Sequence, residues 1–154
     1  MDLSKILKPE AVKVISSASS KKRLLHELGD IAASAYGLEA TQVVEALQER
    51  ESLGPTGVGH GVALPHARLS GTSDVVGAFV LLEKPVDFDA VDRQPVDIAF
   101  ALFAPEEAGV EHLKALALVS RTLRETSICA KLRANADAAT LFTILTESQK
   151  VQAA

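Results

Sequence analysis

Four histidines, His26, His60, His66 and His112, are the side chains of this 154-residue chain best suited to group transfer near neutral pH. A neutral imidazole is a good nucleophile towards phosphorus, and the nitrogen–phosphorus bond it forms stays reactive enough to pass the group on. His66 stands in Gly57-Val58-Gly59-His60-Gly61-Val62-Ala63-Leu64-Pro65-His66-Ala67-Arg68, where three glycines at alternate positions let the backbone bend and approach a partner closely. Gly61 to Leu64 reads as a short strand stopped by Pro65, which has no N–H to give a ladder. That reading presents His66 at a strand's C-terminal end, the edge where sites form in sheet-and-helix folds. An ordinary loop histidine remains the alternative, and the glycine spacing is no nucleotide-binding fingerprint.

His112 shares a helical stripe with Leu116, Val119 and Leu123 and so faces inward, one turn from the start of its helix. A helix N-terminus favours anions and a neutral imidazole, although a core histidine satisfied by a backbone carbonyl would show the same pattern. Arg50 follows Val43 by seven positions, on the inner face of its helix. It is either a guanidinium awaiting an anion or a charge that snorkels to solvent beside Glu49 and Glu51. His26 lies off the apolar stripe of its helix and reads as a surface residue. His60 alternates with Val62 and Leu64 as if on a strand, and so need not face the way His66 does. Phosphoryl transfer needs in-line positioning and charge on the equatorial oxygens stabilised, which a second imidazole and a guanidinium can supply. No Walker loop and no acidic cluster suited to magnesium is visible, which favours a phosphorylated protein over bound ATP as donor.

The elements that must hold these residues come in three blocks. A short strand at Val12–Ile15 precedes two helices, Lys21–Ala35 and about Glu39–Glu51, the first capped by Ser19 or Ser20 and ended by Gly37. Gly54-Pro55-Thr56-Gly57 reads as a turn. Val75–Leu82 and Asp97–Ala104 read as strands buried on both faces, with Val86-Asp87-Phe88 as a short edge strand. Helices return at Val110–Leu123, at Ile128–Leu132 and around Leu141, Phe142 and Leu145, the last capped by Asp137. The fold class expected is α/β: one domain over residues 1–154, with a mixed sheet covered by helices.

Composition narrows the function. A net charge of −4 argues against sequence-nonspecific nucleic-acid binding, which rewards Lys and Arg. The single cysteine, Cys129, rules out an internal disulfide and a Cys-rich zinc site, and its apolar surroundings read as core. Met1 to Lys5 lacks the pattern of a signal peptide, and the longest apolar runs are too short to span a bilayer. The expectation is a cytoplasmic protein with no cofactor, no metal and no membrane insertion. A zinc site of His60, His66 and His112 is disfavoured, because their spacing matches no common zinc pattern.

Three motifs, in order and well separated, carry a resemblance. Gly57 to Leu69, GVGHGVALPHARL, resembles the active-site signature of the IIA domains of the fructose–mannitol class of the bacterial phosphoenolpyruvate phosphotransferase system. Arg50 to Thr56 looks like that family's RE…L…T segment, and Ala104-Pro105-Glu106-Glu107 with His112 to Leu116 resembles its second block; Pro85 to Asp89 fits as well. The resemblance implies a mixed sheet sandwiched by helices, His66 as the phosphorylated residue, His112 as the second active-site histidine and Arg50 as the pocket arginine. It also points to Thr56 and Gly57 as a phosphate loop. The implied donor is a phosphorylated HPr-like carrier loaded by an Enzyme I. With no IIB or membrane IIC segment among its residues, the chain looks most like the family's nitrogen-related branch, whose members report phosphorylation state to partners such as potassium transporters and sensor kinases. A sugar-uptake IIA passing phosphate to a IIB protein, or a docking module indifferent to phosphate, are the rival readings. Two positions depart from the pattern: Ala67, where many members carry glycine, and His60, where asparagine is frequent.

Overall fold

Two strands apolar on both faces need cover on both sides, and the chain supplies it with helices before and after them. The structure, a computed structural model, describes residues 2–153, with side chains up to residue 147. Strand β1 (Leu7–Ile15) leads into helices α1 (Lys21–Tyr36) and α2 (Ala40–Ser52). Strands β2 (Gly57–Gly59), β3 (Val62–Ala63), β4 (His66–Leu69), β5 (Val76–Val86) and β6 (Val96–Pro105) follow, and then helices α3 (Val110–Arg124), α4 (Thr126–Ala134) and α5 (Ala138–Ala153). The sheet runs β1-β5-β6-β3-β2, and β4 also pairs with β6. β5 and β6 are antiparallel, whereas β1 lies parallel to β5 and both β3 and β4 lie parallel to β6, so the sheet is mixed. Helices α1 and α2 pack on each other and on β1, β5 and β4; helices α3, α4 and α5 pack on each other and on β6 and β1. The core runs between these layers, with Phe79, Phe100, Phe103, Ile98 and Leu102 fully buried on the two central strands. The expected α/β sandwich is the fold found.

The caps form where the side chains allow them. Ser20 Oγ accepts the Arg23 N–H, Gly37 takes the left-handed conformation (φ 70°) that ends α1, and Asp137 accepts the Thr140 N–H at the start of α5. Cys129 is buried in the core.

Several boundaries differ from the sequence reading. β1 begins at Leu7 rather than Val12 and is irregular between the two; there the Tyr36 hydroxyl accepts the Lys8 N–H and donates to the Gly77 carbonyl at 2.6 Å. A distant tyrosine thus bridges the Lys8 N–H and the Gly77 carbonyl, two backbone groups of the irregular stretch. β5 extends to Val86, and Phe88 is a buried anchor rather than part of an edge strand. Gly57 is not in a turn but opens β2, which pairs antiparallel with β3. His60 is at the tip of that hairpin with φ 57°, so the strand alternation assumed for it does not hold.

The largest correction concerns His66. The strand before it does end short of Pro65, but His66 is not left at that strand's C-terminal end. β3 pairs with Ile98 and Ala99 of β6, and β4 resumes on the same edge of β6, with His66 opposite Leu102. Pro65 has no N–H to donate, but its carbonyl accepts the Leu102 N–H at 2.9 Å, so the ladder crosses the break. His66 is therefore the first residue of a new strand, beside a two-residue gap in which Leu64 and Pro65 belong to neither strand.

Candidate functional site

His66, His112 and Arg50 come together in one cleft of about 570 Å³. Helix α2 contributes Ala46, Glu49, Arg50 and Leu53, the residue that caps it; β4 contributes His66, Ala67 and Arg68; α3 contributes His112, Leu113 and Leu116. The rings of His66 and His112 are 5.7 Å apart between centroids and tilted by 50°.

Each side chain is held in a different way. The Nδ1 of His66 is 2.9 Å from the Leu64 carbonyl. A carbonyl can only accept, so this contact requires the proton on Nδ1 and leaves the Nε2 lone pair uncommitted. His112 sits in the first turn of α3, 5% exposed, and its Nδ1 is buried without a partner among the described residues. Burial disfavours the imidazolium form of His112, and the charges of His66 and Arg68 add to this, so its pKa falls below the ordinary imidazole value. The helix N-terminus works in the same direction. Arg50 lies half-buried at the end of α2, one guanidinium nitrogen donating to the Gly54 carbonyl at 3.0 Å. The cleft therefore offers a nucleophilic nitrogen, a neutral imidazole and guanidinium charge, a set suited to a tetrahedral anion.

Sequence reasoning missed Arg68. It follows His66 by two on β4, and a period of two puts both on one face of a strand, a signal visible only once His66 is known to begin a strand. Its Nη1 donates to the Glu106 carbonyl at 3.3 Å. Also missed were Leu53 and Leu113, exposed by 80% and 64%, two apolar side chains left in solvent at the mouth of the cleft.

Thr56 and Gly57, the expected phosphate loop, are not among the residues that line the cleft. Thr56 is buried, with its hydroxyl and its N–H both directed at the Glu51 carboxylate. Gly57 is buried where any Cβ would come within 2.9 Å of the Ala90 Cα, so its glycine answers to packing. His60 lines a separate cavity with Cys129 and Arg133 and does not meet His66. His26 is half-buried on α1 and does not line the cleft. Ala67 raises no conflict, because it lies in β4 and is not among the residues with positive φ.

No helix among the described residues is long and apolar enough to cross a membrane. Residues 5–148 match the family described as phosphoenolpyruvate-dependent sugar phosphotransferase system, EIIA 2. The chain is 44% identical over 145 residues to a nitrogen regulatory protein of Bradyrhizobium diazoefficiens, covering 94% of this chain and 95% of that one. It is 40% identical to a nitrogen regulatory protein of Escherichia coli K12, covering 97% and 92%. The crystal structure of the nitrogen regulatory protein IIA-Ntr from Neisseria meningitidis superposes with a TM-score of 0.84 at 38% identity, covering 92% of this chain and 97% of that chain. On this likeness of sequence and fold, the chain belongs to the EIIA 2 family of the phosphoenolpyruvate-dependent phosphotransferase system and is similar within it to the nitrogen regulatory proteins.

Proposed function

We propose that this protein is a cytoplasmic phosphocarrier that accepts a phosphoryl group on Nε2 of His66. The observation that carries this reading is the Leu64 carbonyl 2.9 Å from Nδ1. With the proton held on Nδ1, the Nε2 lone pair attacks the phosphorus of a phosphohistidine on an HPr-like donor, itself loaded by an Enzyme I from phosphoenolpyruvate. The new N–P bond forms as the donor's N–P bond breaks, and the donor nitrogen keeps the electron pair. The ring of His66 then gains cationic character, which the Leu64 carbonyl stabilises. Arg50, Arg68 and His112 surround the phosphoryl oxygens. His112, kept neutral by burial, donates from Nε2 without bringing a second full charge against the His66 ring. Leu53 and Leu113 form the apolar rim on which the donor lands.

Similarity to nitrogen regulatory proteins supports a regulatory carrier, whose phosphorylation state is read by partners such as a potassium transporter or a sensor kinase. The test is intact mass after incubation with phosphoenolpyruvate, Enzyme I and an HPr-like carrier. The wild type should gain one acid-labile phosphoryl group and His66→Ala none. An equal gain in the variant, or no gain in wild type while the carrier is phosphorylated, would reject the assignment.

A further inference from the structure

Glu51 is next to Arg50 yet plays no part in the cleft lining, and its side chain is only 6% exposed. A carboxylate withdrawn from water needs compensation, and here three donors converge on it. Lys21 Nζ lies 2.7 Å from Oε2, the Thr56 N–H donates to Oε2 at 3.2 Å, and the Thr56 hydroxyl donates to Oε1. Lys21 is itself held, with Nζ 4.7 Å above the Phe88 ring. Thr56 in turn accepts the Leu64 N–H on its carbonyl at 2.9 Å, and Leu64 is the residue whose own carbonyl meets His66 Nδ1. Leu64 falls in the gap between β3 and β4, so the bond to Thr56 stands in for a strand ladder. Buried ion pairs add little to stability and are best attested as devices that fix a register. This one joins the start of α1, the end of α2 and the segment before β2.

We propose that Glu51 is a positioning residue for the phosphoryl acceptor: its carboxylate locks Thr56, Thr56 orients Leu64, and Leu64 sets the tautomer of His66. This rests on His66 being the acceptor, but its first readout does not require phosphate. Nitrogen-15 NMR of the His66 imidazole in the unphosphorylated protein reports which nitrogen carries the proton. Wild type should show Nδ1–H alone. In Glu51→Gln the amide group presents N–H atoms where Lys21 and Thr56 need an acceptor. That variant should show a mixed tautomer and a phosphorylation rate constant lower by about tenfold or more, with the KM for the phosphorylated carrier unchanged. Thr56→Val should move both readouts in the same direction, and Thr56→Ser, which keeps the hydroxyl, should restore them. Should Glu51→Gln fail to fold, the Thr56 pair carries the test. A wild-type tautomer and rate in Glu51→Gln, or a loss in Thr56→Val that Thr56→Ser does not restore, overturns the proposal. Failure of wild type to be phosphorylated on His66 would instead reject the acceptor assignment and leave the tautomer result to decide the role of Glu51.

Discussion

A neutral imidazole has one donor nitrogen and one acceptor nitrogen, and a single hydrogen bond chooses between them. At His66 the choice is made by the Leu64 carbonyl, whereas the buried Nδ1 of His112 has no partner among the described residues. The two rings are 5.7 Å apart between centroids, and burial, with the nearby charges of His66 and Arg68, lowers the pKa of His112. This has a consequence for acid stability. An unfolded chain protonates this imidazole near its ordinary pKa of about 6.5, while the folded chain resists until lower pH. The unfolded state therefore binds more protons just below that value, so stability is held above it and lost as the pH falls. Urea midpoints at pH 7.5 and pH 5.5 should show a smaller loss on acidification in His112→Gln than in wild type. An equal loss in both would mean that His112 titrates freely in the fold. The inward stripe of His112 with Leu116, Val119 and Leu123 was legible in the sequence, since helical periodicity alone yields it. Arg68 was not legible, because its facing depends on a strand whose existence rests on pairing with β6, a non-local contact. Glu51 was hidden for a different reason: flanked by Arg50 and Ser52 at a helix end, it reads as one more solvated charge.

At the scale of elements, the cleft exists because α2 and α3 bring their residues to the two sides of β4. The placement of α2 depends on its fit against α1. Gly29 on α1 faces Val44 on α2 so closely that an added Cβ would lie 2.5 Å from the Val44 Cγ2. Alanine would favour the helix by about 1 kcal/mol over glycine, but overpacking a buried contact costs about 1–3 kcal/mol. A β-branched neighbour has little rotamer freedom with which to yield. Gly29→Ala should therefore lower stability by about 1 kcal/mol in urea denaturation, despite its better helix propensity. A gain in stability would show that the two helices separate without cost. Helix number, order and caps were readable here, because Ser20, Gly37 and Asp137 act locally. Of the small strands, β3 was read within Gly61–Leu64, but β2 and β4 were not. Gly57–Gly59, Val62–Ala63 and His66–Leu69 are two to four residues each and carry no periodicity of their own; hydrogen bonds to partners far along the chain define them.

For the whole molecule, the sheet's rigid centre, two strands buried on both faces, supports a site assembled from its margin. β4 lies along the edge of β6, and its first residue, His66, is half-buried and open to the cleft. That arrangement suits a reaction between two proteins, in which the acceptor must be rigid yet within reach of a donor's phosphohistidine. Buried runs bounded by proline and charge identified β5 and β6 from sequence, and with flanking helices they implied the layered fold. A break at Pro65 was legible in the sequence, but the resumption of the chain as β4 on the same edge of β6 became visible only with the β6 register in place. The most direct test is to transfer a phosphoryl group from the phosphorylated HPr-like carrier to nitrogen-15-labelled protein and locate the phosphorus by NMR. The account predicts phosphorus–nitrogen coupling at Nε2 of His66, with Nδ1 still protonated. Phosphorus on Nδ1 of His66, or on any other residue, would contradict it.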